Sequence, residues 1–157
     1  MKNNLYLIPG LGLDHRVFAR LNLKNSDIHY LDWIEPDQGE GLESYAKRLA
    51  EKIVDSSSAI IVGHSFGGMI ALKIADLLNI KKVILISSAK SKKEIPHTLK
   101  ILRWLPLYKL YSDGIRDKML PYWSRLFGIK TKEDLKFFKE MLRNNSQYYR
   151  EWAISNA

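Results

Sequence analysis

Apolar positions change their spacing along this chain, and each change marks an element. Leu5 to Ile8 is a short apolar run closed by Pro9-Gly10-Leu11-Gly12, the pattern of a buried strand and a turn. Asp14 is placed to cap a short helix with Val17, Phe18 and Leu21 on one face. Ile28 to Trp33 reads as a second strand, and 35–39 as a polar loop. Between Leu42 and Ile53 the apolar positions are 42, 45, 46, 49 and 53, one stripe of a helix. Ala59 to Val62 is apolar and β-branched enough for a strand buried on both faces. From Met69 to Leu78 the spacing becomes helical again, and Val83 to Ile86 makes a fourth strand. Strands alternating with helices predict a parallel sheet with helices on both faces, a three-layer α/β/α sandwich joined by right-handed crossovers.

Beyond Ala89 the pattern is helical throughout. Thr98, Ile101, Leu102, Leu105 and Tyr108 form one stripe, which Pro106 should kink or end. Thr131-Lys132-Glu133-Asp134 is a capping-box-like start, after which Leu135, Phe138, Met141 and Leu142 face one way. Ser146 is placed to cap a last helix carrying Tyr149, Trp152 and Ala153. Composition changes at the same point. Residues 1–89 balance their charges, so the net +8 of the 157-residue chain falls on residues 90–157, together with most of the aromatic residues. The expected division is a core over 1–89 and a helical cap over 90–157.

Several function classes drop out on composition. Cysteine is absent, which removes disulfide frameworks, thiolate nucleophiles and cysteine metal sites. The N-terminal apolar run is too short for a signal peptide, and no apolar run reaches the roughly 18 residues of a membrane span, so a cytoplasmic protein is expected. Gly10-x-Gly12 begins a dinucleotide fingerprint, but its third glycine would fall at His15; no lysine follows Gly67-Gly68 as a P-loop needs. Neither cofactor nor metal is implied. Lys92, Lys93, Lys100, Arg103 and Lys109 beside Trp104 could rest on an anionic lipid surface or bind nucleic acid. A cap whose lysines face water explains the same residues without either partner. A small-molecule substrate is therefore the expected partner, with membrane contact the weaker reading and nucleic acid not expected.

The chemistry concentrates in residues 58–68, Ser-Ala-Ile-Ile-Val-Gly-His-Ser-Phe-Gly-Gly. A strand runs directly into a helix there, leaving room only for a tight turn with Ser65 at its apex. Gly63 and Gly67 flank the serine at two residues either side, where side chains would collide with strand and helix. Such a turn strains the serine backbone, lifts its hydroxyl clear of the sheet and aims a helix N-terminus at it. Gly63-His64-Ser65-Phe66-Gly67-Gly68 resembles the nucleophile elbow of α/β-hydrolase-fold serine hydrolases, and the element order of residues 1–89 matches that family throughout. The resemblance implies a strand order of second, first, third, fourth. It implies Ser65 as nucleophile, with the backbone N–H groups of Phe66 and Leu11 as oxyanion donors. It also implies a pocket lined by Gly10, Gly12, His64 and the cap residues Trp104, Tyr108 and Trp123. The substrate expected is a small or medium ester, with a thioester or amide fitting almost as well.

The base and acid of the triad are not evident. His64 adjoins Ser65 with its side chain directed away, His29 opens a strand at the far end of the sheet, His15 follows the oxyanion loop, and His97 enters the cap. Ser87-Ser88-Ala89-Lys90 offers no carboxylate after the fourth strand. In the family, acid and histidine follow two later strands, which here would lie past Ala157. The 157 residues alone are thus expected to be inactive, and the alternative is a non-catalytic binding or interaction protein of the same fold. Reading the gene past codon 157 separates the two. The same reasoning expects the apolar strand Val83 to Ile86 to leave an unpaired edge through which copies self-associate.

Overall fold

The structure is a computed structural model that describes residues 3–91, 93–94, 124, 129–142 and 145–156. Its centre is a parallel sheet of β1 (Asn3–Ile8), β2 (Ser26–Tyr30), β3 (Ala59–His64) and β4 (Lys82–Ile86), ordered β2-β1-β3-β4. This is the expected order. The register sets Leu7 between Tyr30 and Val62, Ile8 beside Gly63, and His64 beside Ile86.

The topology decides which residues meet. From β1 the chain steps one way to β2, through a 3-10 helix at His15–Phe18; from β2 it crosses back over β1 to β3 and continues to β4. Right-handed crossovers in opposite directions land on opposite faces. Accordingly α1 (Leu42–Ala50) and α2 (Phe66–Leu77) pack together on Tyr6, Ile8, Ala59 and Ile61, while Leu5, Leu7 and Val62 face Phe18 on the other side. The reversal between β1 and β3 opens a crevice at their C-terminal ends, the place where open α/β sheets hold their ligands. Pro9–Gly12 and Ser65 both sit at those ends.

Several boundaries differ from the sequence reading. β2 starts at Ser26, because its pairing with β1 begins at Asn3 and an exposed edge strand needs no apolar residues there. His29 therefore lies within β2 opposite Tyr6, stacked on its ring at 4.6 Å, instead of opening the strand. α1 ends at Ala50, yet Ile53 stays buried through a turn in which its N–H donates to the Ala50 carbonyl (2.9 Å). Asp14 caps the 3-10 helix as expected, accepting the Arg16 N–H.

Among the described residues the chain continues with the helices α3 (Lys132–Leu142) and α4 (Gln147–Asn156). Thr131 Oγ1 accepts the Asp134 N–H (3.0 Å) and Ser146 Oγ accepts the Tyr149 N–H (2.9 Å), so both caps fall where the sequence put them. α4 buries Tyr149, Trp152 and Ala153 in the cluster formed by α1 and α2. It is also stitched to the loop after β2. Trp152 Nε1 donates to the Glu40 carbonyl (2.6 Å), Tyr148 Oη to the Asp37 carbonyl (3.1 Å), and Ser146 Oγ to Glu35 (2.7 Å). α3 leans instead on the 3-10 segment, through Arg20 with Asp134 and through the Arg16 guanidinium over the Phe137 ring at 5.6 Å. The stripe expected over residues 98–108 lies outside the described residues. β4 has a strand neighbour on one side only among the described residues, and none of their helices is long and apolar enough to cross a membrane.

Candidate active site

Ser65 stands between β3 and α2 with φ 52° and ψ −123°, a conformation L-residues seldom hold unless their surroundings impose it. The surroundings are plain. A Cβ on Gly63 would come within 2.4 Å of the Gly68 Cα, and one on Gly67 within 2.2 Å of the Pro9 carbonyl oxygen. Only glycines let helix, strand and the end of β1 close around the serine so tightly. The Ser65 N–H is spent on the Ile86 carbonyl (2.9 Å), and its own carbonyl accepts the Gly68 N–H (2.9 Å). The turn is thus tied to β4 as well as to α2. Ser87, beyond that β4 residue, is a second strained position, with φ 48°. Phe66 opens α2, so its N–H belongs to the unpaired first turn of a helix whose dipole favours negative charge.

The second turn lies beside the first. A Cβ on Gly10 would meet His64 Nδ1 at 2.8 Å and the Ser65 Cβ at 3.3 Å, so the Gly10 backbone lies directly against the serine. The Leu13 N–H donates to the Gly10 carbonyl (2.9 Å), which closes a β-turn with Leu11 and Gly12 at its corners. Gly12 has φ 74°, as the third position of a type II turn requires. The corner N–H of Leu11 takes no part in such a turn. No acceptor bonds to it among the described residues.

The residues after β2 grip this turn. Trp33 Nε1 donates to the Gly10 carbonyl (3.0 Å), and Asp32 takes both the backbone N–H of His15 (2.8 Å) and its Nδ1 (2.6 Å). The Trp33 ring rests 5.6 Å from Phe66 and 5.4 Å from Tyr149, centre to centre. Tyr149 is only 1% exposed; burial pushes its hydroxyl pKa far up, and the Gly12 N–H on its side opposes that rise without completing a hydrogen bond. His64 Nδ1 is likewise buried with no partner among the described residues, and burial lowers the pKa of that ring.

The profile of the alpha/beta hydrolase family matches residues 5–156. The chain belongs to that family. Among solved structures, MenH from S. aureus superimposes with a TM-score of 0.75 at 15% identity, over 98% of this chain and 65% of that one. The bottromycin epimerase BotH, solved with bottromycin A2, gives 0.63 at 15% over 99% and 64%. N-formylmaleamic acid deformylase from Pseudomonas putida S16 gives 0.61 at 16% over 99% and 66%. The chain thus spans just under two thirds of the length of these structures. A search of curated proteins finds no match.

Within this alpha/beta hydrolase frame, the sequence-derived residues divide cleanly. Ser65, Phe66, Gly10, Leu11, Gly12 and His64 gather at the crevice between β1 and β3. Trp104, Tyr108 and Trp123 lie outside the described residues, as does His97. No histidine hydrogen-bonds Ser65 among the described residues; the one His–carboxylate pair there, His15–Asp32, sits at the end of β2. Asp32, Trp33 and Tyr149 are contributors that the sequence reading passed over. Leu31, Asp32 and Trp33, expected from the sequence to end the second strand, instead follow β2, which stops at Tyr30, and their place beside the Gly10 turn was the available signal.

Proposed function

We propose that the protein is a serine hydrolase acting on a small or medium ester-like carbonyl compound through an acyl-enzyme. Ser65 Oγ attacks the carbonyl carbon as its proton passes to a general base, a group that no described residue supplies and that then hands the proton to the leaving group. The oxygen that gains charge is met by the N–H groups of Phe66 and Leu11. Collapse of the tetrahedral species expels the leaving group, and water then releases the acid. A thioester or amide would use the same two donors, since nothing at the turn selects the leaving group. The observation that carries the reading is the strained Ser65 backbone at the first turn of α2, with the Gly10 backbone packed against it.

The absence of a hydrogen-bonded base at Ser65 among the described residues favours a second reading, a binding protein that keeps the fold without the chemistry. Rapid acid quench of the complete gene product with an activated ester, followed by peptide mass spectrometry, separates them. Acyl mass on the Ser65 peptide supports the hydrolase, and unmodified Ser65 with saturable ester binding supports the binding protein.

A further inference from the structure

The Leu11 N–H is useful as an oxyanion donor only if its peptide plane faces the right way. A trans peptide sets C=O and N–H antiparallel, so the Gly10 carbonyl and the Leu11 N–H turn together. A flip of that one plane would remove the donor and present a carbonyl oxygen in its place. Pro9 has neither N–H nor polar side chain with which to hold the plane from within the turn.

We propose that Trp33 is the positioning residue of the oxyanion site, its indole N–H locking the Gly10–Leu11 peptide with the Leu11 N–H already aimed. This deepens the serine hydrolase reading and rests on it. The Gly10 carbonyl accepts from Leu13 N–H (2.9 Å) and from Trp33 Nε1 (3.0 Å). Both lone pairs of that oxygen are therefore in use. Flipping the plane would break two hydrogen bonds and leave the indole donor without its acceptor. The turn bond closes only a local loop of the same segment; the indole comes from the segment that follows β2 and fixes the plane from outside.

The indole is itself immobilised by packing. It lies against Phe66 at 5.6 Å, Tyr45 at 6.3 Å and Tyr149 at 5.4 Å, ring centre to ring centre. Its contact with Phe66 has a second consequence. Phe66 carries the other donor, so one side chain braces both halves of the oxyanion site, one by a hydrogen bond and the other by ring contact. A site built this way is formed before substrate arrives and needs no reorganisation during the reaction.

The test removes the N–H and keeps the ring. In the complete gene product, Trp33→3-benzothienylalanine preserves volume and aromaticity, while Trp33→5-fluorotryptophan keeps the donor. Two quantities are read: the rate at which a fluorophosphonate modifies Ser65, and the carbonyl-carbon NMR shift of Gly10. The benzothienyl variant is expected to react about tenfold more slowly, short of the 10²–10³ lost when an oxyanion donor is deleted outright. Its Gly10 shift moves, its melting point stays close to that of the parent, and the fluorotryptophan variant behaves as the parent. An unchanged rate in the benzothienyl variant overturns the lock, whatever the Gly10 shift does. A parent protein that is never labelled at Ser65 instead sinks the nucleophile reading, so the two failures look different.

Discussion

Two turns meet at the end of the sheet, and they are held in opposite ways. The Ser65 turn is fixed by collision: Gly63 and Gly67 are pressed against backbone atoms, and any side chain there would have to move a strand or a helix. The Gly10 turn is fixed by hydrogen bonds reaching in from elsewhere, from Trp33 to its carbonyl and from Asp32 to His15 just beyond it. The first is rigid because there is no room. The second is rigid because distant groups hold it, and each can be removed singly without filling any space. A steric turn therefore fails through folding, and a tethered one through loss of aim.

The largest effect expected is on stability. Gly67→Ala places a Cβ 2.2 Å from the Pro9 oxygen and 2.5 Å from that of Ile8, atoms that cannot yield cheaply. A loss of about 3–5 kcal/mol in urea unfolding, or failure to fold, is expected. Gly10→Ala also comes inside 3 Å, but of a side-chain imidazole atom of His64 and not of backbone. It should cost only about 1 kcal/mol. Equal losses for the two would erase the distinction between the turns.

Smaller effects belong to the tethers. Asp32→Ala frees the His15 N–H and ring together, and because both side chains are near half exposed the cost should be about 1 kcal/mol. Its signature is a slower Ser65 reaction out of proportion to that loss. Slowing no greater than that of an unrelated variant of equal stability would mean Asp32 merely adds stability. The smallest effect concerns His64. Burial lowers its pKa below the 6.5 of an unhindered histidine, so the unfolded chain binds the proton more tightly. Stability contributed by the neutral ring is complete above about pH 6.5 and falls as the pH drops from there through the lowered folded value. Denaturant midpoints across pH 5–8 should show that slope, and His64→Gln should lose it. A slope that persists in the variant would belong to another group.

The difference between the turns also explains what could be read from sequence. The glycines around Ser65 and the caps at Asp14, Thr131 and Ser146 depend on local spacing, which a sequence displays directly, whereas the strand order followed only from the family resemblance that the serine turn carries. Contacts made across long separations leave no period behind. Trp33 reaches Gly10 across 23 residues, and Trp152 reaches Glu40 across 112. The tryptophan at 33 looked like the end of an apolar strand, and nothing in its neighbours announced that its N–H was the important atom. Tyr149 and Trp152 were legible as one helix face. That the face enters the core beside α1 was not, because a stripe tells which side is buried and never against what.

Everything turns on the reactivity of one hydroxyl. Incubating the complete gene product with a fluorophosphonate probe and mapping the modified peptide tests it most directly. The expected result is a single adduct on Ser65, absent from Ser65→Ala. An adduct that survives Ser65→Ala, or a folded protein that takes up no probe, would contradict the assignment of Ser65 as the nucleophile.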